Sequence, residues 1–184
     1  MKADKIGELP GLTFKPNFHH HAGYLSASPG NYLHYWYIRD EYIMMFVESQ
    51  NNTQTDPLIL WLTGGPGCSS LGALLTENGP FHPNPDGSTL FENVYSWNKG
   101  ANVLYLESPR LVGFSYQDKS LNDTLWNDDK TASDIYLALK DFFTVYPQFS
   151  ANDFIVTGES YGGVYVPTLT RLLIQKIQVC SCAM

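Results

Sequence analysis

The chain has 184 residues, of which 43% are hydrophobic and 14% aromatic. This length and composition are sufficient for one domain with a packed core, and they argue against disorder of the whole chain. The net charge of -7 and the pI of about 5.0 argue against nucleic-acid binding, which favours a basic face. No apolar run approaches the roughly 18 residues of a membrane span, so we expect no membrane partner. The N-terminus lacks the apolar stretch of a signal peptide, and none is expected there.

The first 30 residues are rich in Gly, Pro and His and predict a coil that wraps a surface. Within it, the trio His19-His20-His21 raises the possibility of a metal site, but consecutive coil residues do not converge on one ion as spaced ligands do. We therefore predict a solvated trio and no metal. Two β-rich stretches follow, NYLHYWYI and YIMMFVES, and the charged residues between them predict a hairpin.

Strands and helices then alternate along the chain. PLILWLTG is a continuous apolar run typical of a buried parallel strand, SSLGALLTENG a short helix stopped by Gly79, and ANVLYLES a second buried strand. A helix is predicted from Asp128 to Tyr146, ended by Pro147, and DFIVTG is predicted as a third buried strand before a helix from Val164 to Ile177. This order indicates an α/β fold with a parallel sheet. The apolar residues of the first long helix recur at three- and four-residue spacing: Ala132, Ile135, Leu139, Phe142, Phe143 and Tyr146.

One serine lies in the turn between the third strand and the last helix. The residues Gly158-Glu159-Ser160-Tyr161-Gly162 fit the pattern G-x-S-x-G of a nucleophile elbow, in which a sharp strand-to-helix turn presents the serine. The flanking glycines let neighbouring backbone approach, and the helix N-terminus supplies N–H groups. An ordinary glycine-rich turn is the alternative interpretation.

A second glycine-rich loop, in WLTGGPGCSS, follows the first buried strand. In hydrolases with a nucleophile elbow, one oxyanion donor comes from the residue after the nucleophile and the other from an early strand-to-helix loop. Gly64-Gly65 occupies the position of that second donor. A phosphate-binding loop is the competing interpretation, but it lacks G-K-[ST].

Taken together, these motifs resemble the serine carboxypeptidase family. The likeness runs from about Leu9 to Leu169 and rests on LPGL, HYW, WLTGGPGCSSLGALLTENGPF, YSWNKGANVLYLESP, VGFSY and TGESYGGVYVPTL. It implies an α/β-hydrolase fold and hydrolysis of C-terminal peptide bonds through an acyl-enzyme at acidic pH, without a cofactor. It also implies a lysosomal or secreted location, peptide or protein C-termini as substrates, and a homodimer as one assembly to consider.

The resemblance also implies roles for individual residues. Ser160 is the nucleophile, and the backbone N–H groups of Gly65 and Tyr161 form the oxyanion hole. The substrate carboxylate is held by Glu159, Glu77 and the residue at position 63. Two neighbouring carboxyls share a proton because both cannot ionise cheaply, and the protonated one donates to the substrate. From the sequence alone, a solvated helix carboxylate is the favoured interpretation of Glu77.

Several positions depart from the family pattern. Thr63 stands where the family has Asn, and Arg110 and Leu111 stand where it has small residues, so their side chains are expected to crowd a loop near the site. Extra residues around Tyr37 to Met45 interrupt a stretch that the family runs as one strand, which offers an alternative to the predicted hairpin. Cys68 resembles a cysteine with a downstream partner in the family.

No general base can be assigned from this sequence. The fold orders its triad as Ser, Asp, His, and no His, Asp or Glu follows Ser160 here. We therefore expect the N-terminal portion of one α/β-hydrolase domain, truncated after the elbow and its helix, with a coil at 1–30, a core at 31–179 and an unfamiliar tail at 180–184. No partner motif accompanies any of the upstream histidines: His19, His20, His21, His34 and His82.

Three functions remain open at this point. The first is a serine carboxypeptidase, the second a non-catalytic truncated product or pseudoenzyme, and the third an acyltransferase on the same scaffold, in which the acyl group passes to an alcohol instead of water. Two glycosylation sequons, at Asn51 and Asn122, give weak support to a secretory route.

Overall fold

The computed structural model describes residues 7, 9–35, 46–121, 123 and 126–181, with side chains as far as 176. Short 3₁₀ turns at Trp97–Lys99 and Pro147–Phe149 connect the main elements. The strands and helices, numbered in chain order, are β1 (His20–His21), β2 (Gly23–Ser26), β3 (Asn31–Tyr35), β4 (Phe46–Val47), β5 (Leu58–Leu62), α1 (Ser70–Thr76), β6 (Phe81–Pro83), β7 (Leu90–Glu92), β8 (Asn102–Tyr105), β9 (Tyr116–Gln117), α2 (Asp128–Val145), β10 (Phe154–Gly158) and α3 (Gly162–Ser181).

A five-stranded sheet in the order β1-β4-β8-β5-β10 forms the centre of the described fold. Strands β8, β5 and β10 are parallel, and β4 and β1 extend the sheet antiparallel. The predicted α/β class with a parallel sheet is confirmed. Strands β5 and β8 are the buried ones, as predicted from their apolar runs, and their side chains belong to the hydrophobic core.

Strand β10 corrects one prediction. DFIVTG was predicted as a buried strand, but β10 lies at the edge of the sheet and its side chains are half-buried or exposed, with Ile155 43% exposed. Among the described residues β5 is its one strand partner. An apolar run shows the composition of a strand but not its place in the strand order.

The predicted hairpin of the two β-rich stretches is wrong. Strand β3 pairs with β2 and β9 in a separate three-stranded sheet, whereas β4 lies in the central sheet between β1 and β8. The described part of each stretch therefore pairs with strands elsewhere in the chain. The residues from Trp36 to Met45, which include the proposed insertion, lie outside the described part.

The N-terminal segment is not a coil throughout, because strands β1 and β2 form within it. The prediction of a solvated histidine trio is also wrong. Strand alternation buries His20, 4% exposed, against Phe81, while His19 and His21 both contact the Glu48 carboxylate at 3.0 and 3.2 Å. In the described ranges no group of His, Cys, Asp or Glu is arranged to hold a metal ion.

The predicted helices are confirmed, with small shifts at their ends. Asn127 caps α2 by accepting a hydrogen bond from the Lys130 N–H at 2.8 Å, and the buried face of α2 packs against α3 and β2. Ser69 caps α1, and Gly79 closes the turn after it, where a side chain would meet the Leu74 carbonyl. No helix among the described residues is long and apolar enough to cross a membrane.

Candidate active site

Ser160 occupies the sharp turn between β10 and α3. Its φ of 56° lies in the left-handed region, which a non-glycine residue occupies at a cost of about 1–3 kcal/mol, and its side chain is exposed. The strand, turn and helix follow one another as the G-x-S-x-G pattern predicts. The backbone therefore holds the serine hydroxyl outward at the carboxyl end of the sheet.

The two glycines of the pattern are required by the neighbouring strand. A Cβ at Gly158 would lie 2.5 Å from the Leu62 carbonyl oxygen, and one at Gly162 would lie 2.8 Å from the same atom. The Glu159 N–H donates to this oxygen at 3.3 Å. Any larger residue at either position would push the elbow away from the end of β5.

The loop after β5 lies directly against the elbow. A Cβ at Gly64 would meet the Tyr161 nitrogen, would lie 2.6 Å from the Glu159 carbonyl oxygen and would reach the Ser160 side chain at 3.0 Å. Gly65 has a φ of 111°, and the Cys68 N–H donates to the Gly64 carbonyl at 3.0 Å to close the turn. The two glycine-rich segments are thus in backbone contact.

The two expected oxyanion donors belong to these segments. Within the part of the chain that the structure describes, neither the Gly65 N–H nor the Tyr161 N–H donates a hydrogen bond to a protein acceptor. Free N–H groups next to a nucleophile are the donors that stabilise an oxyanion. The Tyr161 hydroxyl lies 3.3 Å from both carboxylate oxygens of Asp128, and its ring packs against Tyr165.

Thr63 is held by its own strand and by α1. Its hydroxyl accepts a hydrogen bond from the Trp61 ring nitrogen at 2.9 Å, and its backbone N–H donates to the Ser70 hydroxyl at 3.2 Å. The side chain is buried, with 8% exposure. A threonine hydroxyl carries one proton, so Thr63 retains one donor for a ligand.

Glu77 and Glu159 are close enough to interact electrostatically. Partial burial, and then the negative charge of Glu159, raise the pKa of the Glu77 carboxyl above its ordinary value. The charge of Glu77 also adds to the burial that raises the pKa of Tyr105, which lies beneath it. Glu77 therefore keeps its proton to a higher pH than an isolated glutamate.

The two residues at the family departure near Pro109 behave differently. Leu111 has a φ of 68°, is 57% exposed and lines a cavity next to Tyr161. Arg110 turns inward instead, is 6% exposed and binds the buried Asp134 carboxylate through its Nε at 2.8 Å. Both residues line this cavity, but Arg110 is held back by its ion pair, so the exposed Leu111 accounts for most of the expected crowding.

Glu107 is a structural residue that we did not predict. It is fully buried, accepts hydrogen bonds from the Phe114 N–H and from His34 Nδ1 at 2.7 Å each, and also binds the hydroxyl of Ser69, the cap of α1. These hydrogen bonds connect the end of the Gly64-Gly65 loop (the oxyanion loop), where α1 begins, to β3 and to the 109–114 loop. The signal of Glu107 in the sequence was a lone Glu at the end of an apolar strand.

All five histidines make their contacts with residues other than Ser160. His19 and His21 contact Glu48, His34 binds Glu107, and the rings of His20 and His82 pack against Phe81 and Phe91. The structure thus gives none of these side chains the place of a general base. Cys68 is a free, exposed cysteine.

Comparison with known proteins decides the family. The sequence profile described as serine carboxypeptidase matches residues 10–183. This chain belongs to the serine carboxypeptidase family. Its predicted likeness to that family, and the α/β-hydrolase fold, are thereby confirmed.

Individual relatives agree with this assignment. The chain is 52% identical over 172 residues to the lysosomal protective protein of Mus musculus, covering 94% of this chain and 34% of that one. It is 49% identical to the serine carboxypeptidase ctsa-4.1 of Caenorhabditis elegans, covering 94% and 35%. The structure of a prohormone-processing carboxypeptidase from Saccharomyces cerevisiae matches with a TM-score of 0.75 and 28% identity, covering 96% and 39%. The chain thus spans about a third of the length of these serine carboxypeptidases.

Proposed function

We propose that the protein containing this chain is a serine carboxypeptidase that removes C-terminal residues from peptides through an acyl-enzyme. The observation that carries the proposal is the strained Ser160 turn lying in contact with the Gly64-Gly65 loop. In this mechanism the Ser160 hydroxyl attacks the last peptide carbonyl, and the Gly65 and Tyr161 N–H groups stabilise the oxyanion. Collapse of the oxyanion breaks the peptide bond and releases the C-terminal residue as an amine, which takes up the proton lost by Ser160, and water then hydrolyses the acyl ester.

The terminal carboxylate of the substrate is the second element of the proposal. Glu77 and Glu159 share a proton at acidic pH, and the protonated carboxyl donates to the substrate carboxylate together with the Thr63 hydroxyl. The raised pKa of Glu77 supports this role, because its cause includes the charge of Glu159. Binding of a free C-terminus therefore weakens as the pH rises through the raised pKa of Glu77.

The proton acceptor for Ser160 is proposed to come from residues beyond this chain. The fold places its Asp and His after the serine, and the relatives are about three times as long as this chain. Loss of triad members leaves only oxyanion and binding effects. The 184 residues alone are therefore expected to turn over substrate far more slowly than the full gene product. The name of the mouse relative supports a proposed lysosomal or secreted location.

The test uses the full gene product and a fluorophosphonate probe, with Ser160→Ala as its control. We expect labelling at Ser160 and release of the last residue from a peptide with a free C-terminus, but not from the same peptide amidated. A full-length product that neither reacts with the probe nor cleaves the peptide supports the non-catalytic alternative. Labelling followed by ester formation with an added alcohol acceptor, in preference to hydrolysis, identifies an acyltransferase.

A further inference from the structure

A cavity of about 490 Å³ opens beside Tyr161, between the 109–112 loop and the N-terminal end of α2. Its walls are largely apolar and aromatic, which is typical of a site that receives a side chain. Residues that form these walls include Pro66, Leu111, Val112, Trp126, Tyr161 and Tyr165.

Two charged side chains also line the cavity, and one of them is already neutralised. The Arg110 guanidinium is bound by Asp134 at 2.6 Å and by Asp123 at 3.3 Å, and it lies 5.7 Å from the Trp126 ring centre. With 6% exposure, this cation contributes little to the charge that a ligand meets.

Asp128 is the second charged residue, and its charge is not balanced. Among the described residues its side chain contacts the Tyr161 hydroxyl, and no cation lies within ion-pair distance. Neighbouring cations are bound elsewhere, Lys130 to Asp123 and Arg171 to Asp129. The partial positive charge at the start of α2 faces both Asp128 and Asp129, so it offsets only part of their charge.

The position of the cavity relative to Ser160 defines which part of a peptide reaches it. Glu159, which precedes the serine in the chain, lines a separate groove together with Trp61 and Trp97, whereas Tyr161, which follows it, lines the cavity. If the Glu77–Glu159 pair holds the terminal carboxylate, the residue being removed lies on the Glu159 side. The side chain before the scissile bond then lies on the Tyr161 side.

We infer that this cavity binds a lysine or arginine side chain at the position before the scissile bond. The aliphatic stem packs against Leu111 and Val112, and the cationic head lies between Asp128 and the faces of the aromatic rings. This specificity rests on the proposed carboxypeptidase function for the direction in which the peptide lies. Recognition of the charge itself depends only on the cavity.

Binding to the Ser160→Ala variant of the full gene product tests the inference without requiring turnover. The ligands are three peptides that differ only before the last residue, with Lys, norleucine or Glu there, measured by calorimetry. Because a partly exposed charge pair contributes modestly, we expect the Lys peptide to bind about fivefold more tightly than the norleucine peptide, and the Glu peptide most weakly. Equal affinities for Lys and norleucine overturn the inference.

A matched pair of variants assigns the effect to one carboxylate. Asp128→Asn is expected to abolish the preference for Lys over norleucine, and Asp129→Asn, next to it but bound to Arg171, is expected to keep the preference. Persistence of the preference in Asp128→Asn refutes the assignment. A second measurement repeats the binding of the three peptides to the Ser160→Ala protein, without a change at Asp128, at a higher salt concentration. The higher salt concentration should reduce the preference for Lys. Failure of the fluorophosphonate label on wild-type Ser160, with the Lys preference intact, would instead reject the proposed catalysis.

Discussion

Gly64→Ala perturbs the contact between the oxyanion loop and the elbow more directly than any other single substitution in the loop. The added methyl carbon would lie 2.6 Å from the Glu159 carbonyl oxygen and 3.0 Å from the Ser160 Cβ, and closer still to the Tyr161 nitrogen. These neighbours are backbone atoms and the nucleophile itself, so no flexible side chain can move away to relieve the contact.

The size of the effect follows from these distances. To reach ordinary contact the loop or the elbow must move by about 1 Å, and a displacement of that size at a reacting centre can cost about a hundredfold in rate. Loss of one oxyanion donor costs about 100- to 1,000-fold in kcat. We therefore expect kcat of the full gene product to fall by about 100-fold or more, with KM changing much less.

The assay is the rate of fluorophosphonate labelling together with peptide turnover, and Gly72→Ala is the matched control. Gly72 lies on the exposed side of α1 with no atom within 4 Å of an added Cβ, so alanine there should raise helix stability by about 1 kcal/mol without affecting the rate. A Gly64→Ala protein that labels and turns over at the wild-type rate would refute the proposed contact between loop and elbow.

Three further outcomes are expected. Thr63→Asn, which replaces a single hydroxyl proton with the two protons of a side-chain amide, should lower KM for peptides with a free C-terminus, and an unchanged KM contradicts the role of this position. Glu77→Gln should flatten the rise of KM with increasing pH, because the titrating carboxyl whose pKa is raised is removed; a pH profile identical to wild type argues against the shared proton. Arg110→Ala should lower the free energy of unfolding by about 3–5 kcal/mol, since it leaves the buried Asp134 unpaired, whereas removing the exposed Arg171 should cost under about 1 kcal/mol; denaturant titration of both variants checks the difference.

Local pattern was sufficient for the elements that form the site. Strands β5 and β8 and helix α2 were predicted because a continuous apolar run or a three- and four-residue period is a property of the segment itself. The turn at Ser160 was predictable for the same reason, since its glycines and serine are neighbours in the chain.

Features that depend on distant partners were not predictable. Strand β10 has the composition of a buried strand and is an edge strand among the described residues. The predicted hairpin was wrong because β3 and β4 belong to different sheets. The pair formed by His34 and Glu107 joins residues 73 positions apart, and neither residue carries a local sign of the other. Long-range pairing of this kind leaves no periodic trace in a single sequence.

The geometry of the candidate site is set by two neighbouring parallel strands. Leu62 at the end of β5 pairs in register with Gly158 at the end of β10, so the loops that follow both strands leave the sheet at the same level. The Leu62 carbonyl then limits residues 158 and 162 to glycine, and Gly64 packs against the elbow as well. The strain at Ser160 is thus held by contacts with this backbone, whereas the charge environment depends on side chains such as Glu77 and Asp128. We therefore expect substitution of Glu77 to change the pH dependence, substitution of Asp128 to change the choice of substrate, and substitutions at the glycines to change the rate of attack.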